Sequence, residues 1–383
     1  MSDYLRKPFE FYRARFSDLK YIIDTVQNSL ITSDNASATA LKVKDALEHF
    51  SNALGFIDEQ PEGEKGLERL ALRKAVYQSL IQAQVAIDAA RFPNIEPLIG
   101  WVETTWLDLD MDGEEELIVD TQLQRLYLKP SMGGAILEHD YKPRKVNLTN
   151  VLTDEPEGGP LEGEFKSSVG LYPCCSLQDA FGKEEDKELG FSLEPWDYKI
   201  LRQAPDVLLI RFFRELGMGT DLEFNKLLSI RSGIGAHLKE ATTGFTVEYW
   251  LEGSSKPEED VFILSRWHTV VRSEETSAIS IYPLLAVSGV GEEKVDLTKE
   301  VLTKGEDLPG GLYGLRFVDG VGNLTIDYRF SKPISSLLTK PVYQSTTLQD
   351  EEPKIQGISF RFNIQAASIF GDTKTNNLFV SIV

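Results

Sequence analysis

The apolar residues of this chain change period once, near Trp101, from one every three or four positions to one every second position. That switch predicts helices first and strands afterwards. Phe9, Tyr12, Phe16, Leu19, Ile23, Val26 and Leu30 share one face of a first amphipathic helix, and Pro8 fits its first turn, where the missing N–H costs nothing. Val43, Leu47, Phe50 and Leu54 predict a second helix with Gly55 as its stop. After the hydrophilic turn 59–66, a third helix carries Leu72, Val76, Leu80, Ala83 and Ile87, and Pro93 and Pro97 end it.

Beyond Trp101 short β runs follow one another, among them 117–119, 125–128, 135–137, 207–213, 245–250, 261–264, 279–282, 324–328, 358–362 and 378–382. Clusters such as Pro309-Gly310-Gly311 and 319–323 punctuate them as turns. The expected fold is α+β, with a short N-terminal helical bundle over 1–97 and a large antiparallel β-sandwich over 98–383. Residues 153–166 and 183–188 read as surface loops.

Charge narrows the possible partners. A net charge of −20 without a basic cluster excludes nucleic acid, which needs cations to displace phosphate counterions. A neutral glycan, a cation or a basic protein patch meets no such barrier. The start, Met1-Ser2-Asp3-Tyr4, lacks a signal-peptide pattern, and no apolar run reaches the ~20 residues of a membrane span. Cys174 and Cys175 are adjacent, which suits reduced thiols. Together these lead to the expectation of a cytoplasmic protein.

At the seam lies Asp108-Leu109-Asp110-Met111-Asp112-Gly113-Glu114-Glu115-Glu116. Alternate carboxylates followed by glycine allow a tight turn that aims several hard oxygens at one centre, as calcium requires. The twelfth position is Val119, so the glutamate that closes an EF-hand loop is missing. The pattern fits a shorter loop running into a strand, with Asp108, Asp110, Asp112 and Glu116 offering side chains and Glu114 its carbonyl. A bare acidic turn is the alternative.

The same loop, with Ser131-Met132-Gly133-Gly134-Ala135, Leu137-Glu138-His139-Asp140-Tyr141-Lys142-Pro143 and 147–152, resembles the C-terminal region of glycoside hydrolase family 57, the α-amylases and 4-α-glucanotransferases. Weaker likenesses at 72–81, 176–181, 342–345 and 355–358 extend the resemblance over roughly 67–383. It implies a supersandwich of the galactose-mutarotase-like kind preceded by helices. It also implies that the family's catalytic glutamate and aspartate belong to an N-terminal barrel whose pattern is absent here. The family's Trp-His-Gly segment is replaced by 58–66, so no catalytic residue carries over.

Other constellations are sparse. His49, His139, His237 and His268 stand in no metal-ligand spacing. Sugars dock on flat rings beside polar groups, which singles out Trp196, Tyr198, Trp250 and Trp267. Arg266-Trp267-His268 is the most polar of these settings, with Trp250 next. The reading is a non-catalytic α-glucan-associated or protein-interaction module, the helices being a possible partner surface. Its rival is a subunit of a split glucanotransferase or a mutarotase-like enzyme.

Overall fold

The change of period at Trp101 is the change of architecture. The computed structural model describes the chain except residues 1–5, 31–35, 59–69, 94–99, 110–112, 150–174, 185–195, 217–220, 233–242, 272–277, 286–289, 292–293, 297–298, 322, 344–354 and 372–373. Helices α1 (Arg6–Leu30), α2 (Ala36–Asp58) and α3 (Leu70–Arg91) come first. On α1, Phe16, Leu19, Ile23 and Val26 are buried, as their spacing predicts, and Phe16 meets Phe50 of α2 edge-on at 5.5 Å. Two expectations for α2 fail. The helix runs past Gly55 to Asp58, and Leu54 is 38% exposed because the buried stripe has rotated away from it.

The strands in order are β1 (Val102–Leu107), β2 (Glu116–Thr121), β3 (Gln124–Lys129), β4 (Ala135–Tyr141), β5 (Val146–Asn147), β6 (Gln178–Gly182), β7 (Asp197–Ala204), β8 (Val207–Glu215) and β9 (Glu223–Arg231). They continue as β10 (Thr243–Glu252), β11 (Phe262–Val270), β12 (Ile279–Leu285), β13 (Val301–Lys304), β14 (Leu312–Asp319), β15 (Leu324–Ile334), β16 (Ser336–Tyr343), β17 (Ile355–Gln365) and β18 (Asn376–Ile382). β1 to β5 form a small antiparallel meander of their own. An eight-stranded sheet, β12-β14-β15-β18-β10-β9-β8-β7, faces a five-stranded sheet, β13-β16-β17-β11-β6. The α+β supersandwich expected from the sequence is therefore present, with the meander as a third sheet that the strand pattern did not separate.

Alternation fills the space between the two large sheets. Leu208, Ile210, Phe212, Phe224, Leu228, Phe245, Val247 and Tyr249 face Trp267, Phe360 and Phe362 across it. Tyr328 meets Phe360 edge-on at 4.8 Å and Trp267 at 5.2 Å. The expected domain boundary at residue 97 falls among the undescribed residues 94–99. The core does not divide there, because one apolar cluster runs from Leu19 and Val76 through Leu126 to Phe360.

Candidate functional site

The family-like block becomes β4 and its flanks. Glu138 and Asp140 stand on one face of the meander, in register with Tyr127 and Arg125 of β3. That face looks at the helices. Arg15 of α1 reaches Glu138 Oε1 and Asp140 Oδ2, both at 3.2 Å, and Tyr77 of α3 donates to Glu138 Oε2 at 3.1 Å. Arg125 donates to Asp18 of α1 at 2.5 Å and to Asp120 at 2.9 Å.

Lys142 uses its ammonium fully, on Asp88 at 2.6 Å, Asp120 at 2.6 Å and the Thr121 carbonyl at 2.5 Å. All these groups are buried. Burial alone pushes both aspartates up. Lys142 and Arg125 outweigh it at Asp120, whose carboxyl falls below its ordinary value, whereas Asp88 stays raised.

The other face of the meander meets the sandwich. His139 is stacked obliquely near Phe245 at 5.9 Å, and Gln124 shares a hydrogen bond with its Nε2 at 3.1 Å and donates to the Gly244 carbonyl at 3.1 Å. Burial pushes the His139 imidazole down to about 3, so it is neutral. Gly133 and Gly134 have φ of +67° and +73°, and a Cβ at either would strike the rings of Trp196 and Phe212. Glu138, His139, Asp140, Lys142, Gly133 and Gly134 of the block thus have packing roles. The block joins helices to sandwich.

The acidic loop is only partly visible, since Asp110 and Asp112 lie outside the described residues. Glu116 differs from its expected place as a calcium ligand. It is buried, with Oε1 on the Lys129 ammonium at 2.9 Å and Oε2 accepting the Leu109 N–H at 2.7 Å, so protein groups already satisfy its charge. Asp108 Oδ2 accepts the Gly113 N–H at 3.1 Å, and Glu114 is exposed. Among the described residues no three potential ligands converge.

The sugar candidates separate by face. Trp267 is 2% exposed, covered by Phe245 and Tyr328 and donating to Ser265 at 3.0 Å, so neither ring face is open to a sugar. His268 is likewise buried, with Nδ1 at 2.7 Å from the Cys175 carbonyl. Both corrections follow from the strand period of two, which puts Trp267 inside and its neighbours on the covered outer side. Arg266 is half-buried and holds Gln178 Oε1 through two N–H groups, at 2.7 and 3.0 Å.

Trp250 lies instead on the outer face of the eight-stranded sheet, half-buried. Beside it, Arg211 sits 5.5 Å from the Trp250 ring centre and 5.0 Å from that of Phe213. The guanidinium is fixed by Asn225 Oδ1 and Glu223 Oε1, each at 2.7 Å, while Trp250 Nε1 donates to Glu252 at 2.6 Å. Register explains the grouping, for Phe213, Asn225 and Trp250 occupy one cross-strand row. This cluster combines two half-buried aromatic rings with oriented amide, guanidinium and carboxylate groups. The sequence had flagged Trp250 alone; Arg211, Phe213, Glu223 and Asn225 come from two other strands and needed the register.

Residues 108–158 match the family model described as α-amylase/4-α-glucanotransferase, C-terminal. The chain resembles the C-terminal part of that family. α-Amylase 1 of Dictyoglomus thermophilum is 39% identical over 92 residues, 24% of this chain and 12% of the relative. An α-amylase of Pyrococcus horikoshii is 28% identical over 189 residues, 46% of this chain and 26% of its own. The structure of the 4-α-glucanotransferase from Thermococcus litoralis superposes with a TM-score of 0.54 at 16% identity, covering 98% of this chain and 50% of that one. The chain therefore spans half or less of these three relatives, and the last likeness speaks for the fold alone. Among the described residues no helix is long and apolar enough to cross a membrane.

Proposed function

We propose that this chain is a non-catalytic module that associates with α-glucan or a related neutral oligosaccharide through the Trp250 cluster. The carrying observation is that Arg211, held by Asn225 and Glu223, stands between two aromatic rings on a solvent-facing sheet. Such a surface offers C–H stacking and oriented hydrogen-bond partners together, and its charges are already paired, which favours an uncharged ligand. The similarity to α-amylases and glucanotransferases supports a glucan as that ligand.

Affinity electrophoresis in glycogen or amylose gels tests the reading. The wild-type chain is expected to be retarded and Trp250→Ala to migrate as in plain gel. Equal retardation of both removes the cluster from the proposal, and no retardation of the wild type ends it. Glucan disproportionation by the purified chain would overturn the non-catalytic part.

A calcium ion in the acidic loop is a separate proposal. Glu116 is engaged by Lys129 and the Leu109 N–H, so the proposed ligands are Asp108, Asp110, Asp112 and the Glu114 carbonyl, whose chemistry suits a hard cation.

A further inference from the structure

The outer face of the eight-stranded sheet continues beyond Trp250. In register, Glu248 pairs with Asn377 and Thr246 with Phe379, while Leu227 and Ser229 flank them from β9. Phe379 is 44% exposed, although it lies on a central strand of the sheet. Its cross-strand neighbour on the other side is Arg329, whose Nη1 donates to the Leu285 carbonyl at 3.2 Å. From Trp250 to Phe379 is four residues along the strands and one strand over, roughly 14 Å by strand geometry.

The floor between the two rings is mostly polar, with Ser229, Thr246, Asn377 and Glu248 half-buried beside Leu227. Of the charges bordering the band, Arg211 pairs with Glu223 and Arg316 with Asp327 through two bonds of 2.6 and 2.7 Å, while Arg329 donates to the Leu285 carbonyl. The net charge of −20 opposes an anionic chain over the molecule as a whole.

We infer that the band from Trp250 to Phe379 is one extended site for a linear, neutral oligosaccharide of several rings, with Phe379 as a second aromatic contact. This rests on the reading of Trp250 as a sugar platform. It adds that the ligand is recognised by length. A disaccharide on Trp250 leaves Phe379 uncovered, whereas a longer chain gains the second contact.

Isothermal calorimetry of the full chain with maltose and maltohexaose tests this. Maltohexaose is expected to bind about tenfold more tightly than maltose. Phe379→Ala should remove that advantage and leave maltose unaffected, and Phe379→Tyr should restore it. Phe379 is exposed, so its variants should fold, and circular dichroism melts verify this.

Equal affinity for the two sugars, or a maltohexaose affinity unchanged by Phe379→Ala, overturns the extended site while the Trp250 platform stands. Failure of both sugars to bind, or indifference of both to Trp250→Ala, overturns the platform and the extension with it.

Discussion

Two charged, aromatic clusters in this protein are built from the same side-chain types and do opposite things. Around Lys142 the groups of α1, α3, β2, β3 and β4 are enclosed, and Lys142, Arg125 and Arg15 each donate to buried carboxylates. Around Trp250 the groups lie on an open sheet, and Arg211 keeps 28% of its side chain exposed. Enclosure turns charge into a fastener with steep dependence on each member. Exposure leaves charge weakly stabilising and available to a ligand. The described family-like residues of β4 belong to the first kind, whereas the surface proposed for recognition lies in strands β8 to β10.

The sharpest test of that contrast is Lys142→Ala, which strands Asp88 and Asp120 without their shared cation. We expect a loss of about 3–5 kcal/mol in urea denaturation. A loss below about 1 kcal/mol would mean the network is not the fastener described. Calcium comes next. If the loop binds it, excess calcium at about a hundred times Kd should stabilise the fold by about 2.7 kcal/mol, and Asp110→Ala should abolish both this and the calorimetric heat. Absence of heat in the wild type removes the ion.

His139 gives a smaller, pH-dependent effect. Its folded value of about 3 lies below the ordinary 6.5, so the unfolded chain takes up the extra proton as pH falls. Stability from this residue is complete above the unfolded value and declines as pH falls below about 6.5 toward 3. Between pH 7 and pH 5 the loss should be about 2 kcal/mol. His139→Gln, measured at both pH values, should show a correspondingly smaller difference. An identical pH dependence would mean that His139 is not enclosed as described.

Smallest in stability is Arg211→Ala, expected to cost no more than about 1 kcal/mol because the group is partly exposed. The same change should weaken glucan retardation clearly. A large destabilisation without an effect on glucan would erase the distinction between the two clusters.

Much of the fold was legible in the apolar pattern. The stripe Phe16, Leu19, Ile23 and Val26 could serve only a helix, and runs such as 245–250 only a strand. Charged interior positions were not legible. β9 carries Lys226 on its inward face, where it pairs with Asp179 at 2.6 Å between the sheets, and burial lowers its ammonium below the ordinary value. A lysine at that position breaks the alternation, and the strand went unrecognised. Trp267 was misjudged for the converse reason, since its polar neighbours lie on the other face of the same strand.

The acidic loop and the change of period at Trp101 were fixed by the sequence, because local spacing alone decides between a helical stripe and a strand. What the polar face of 137–142 would meet was not fixed. Alternating Leu137, Glu138, His139, Asp140 and Tyr141 would suit a strand with one side in water just as well. Only the arrival of Arg15 and Tyr77 from residues more than 60 positions away turned that side into an interior. The Trp250 cluster likewise required three strands in register. Spacing dictates which face a residue occupies, but tertiary structure decides whether that face meets water, a helix or a ligand.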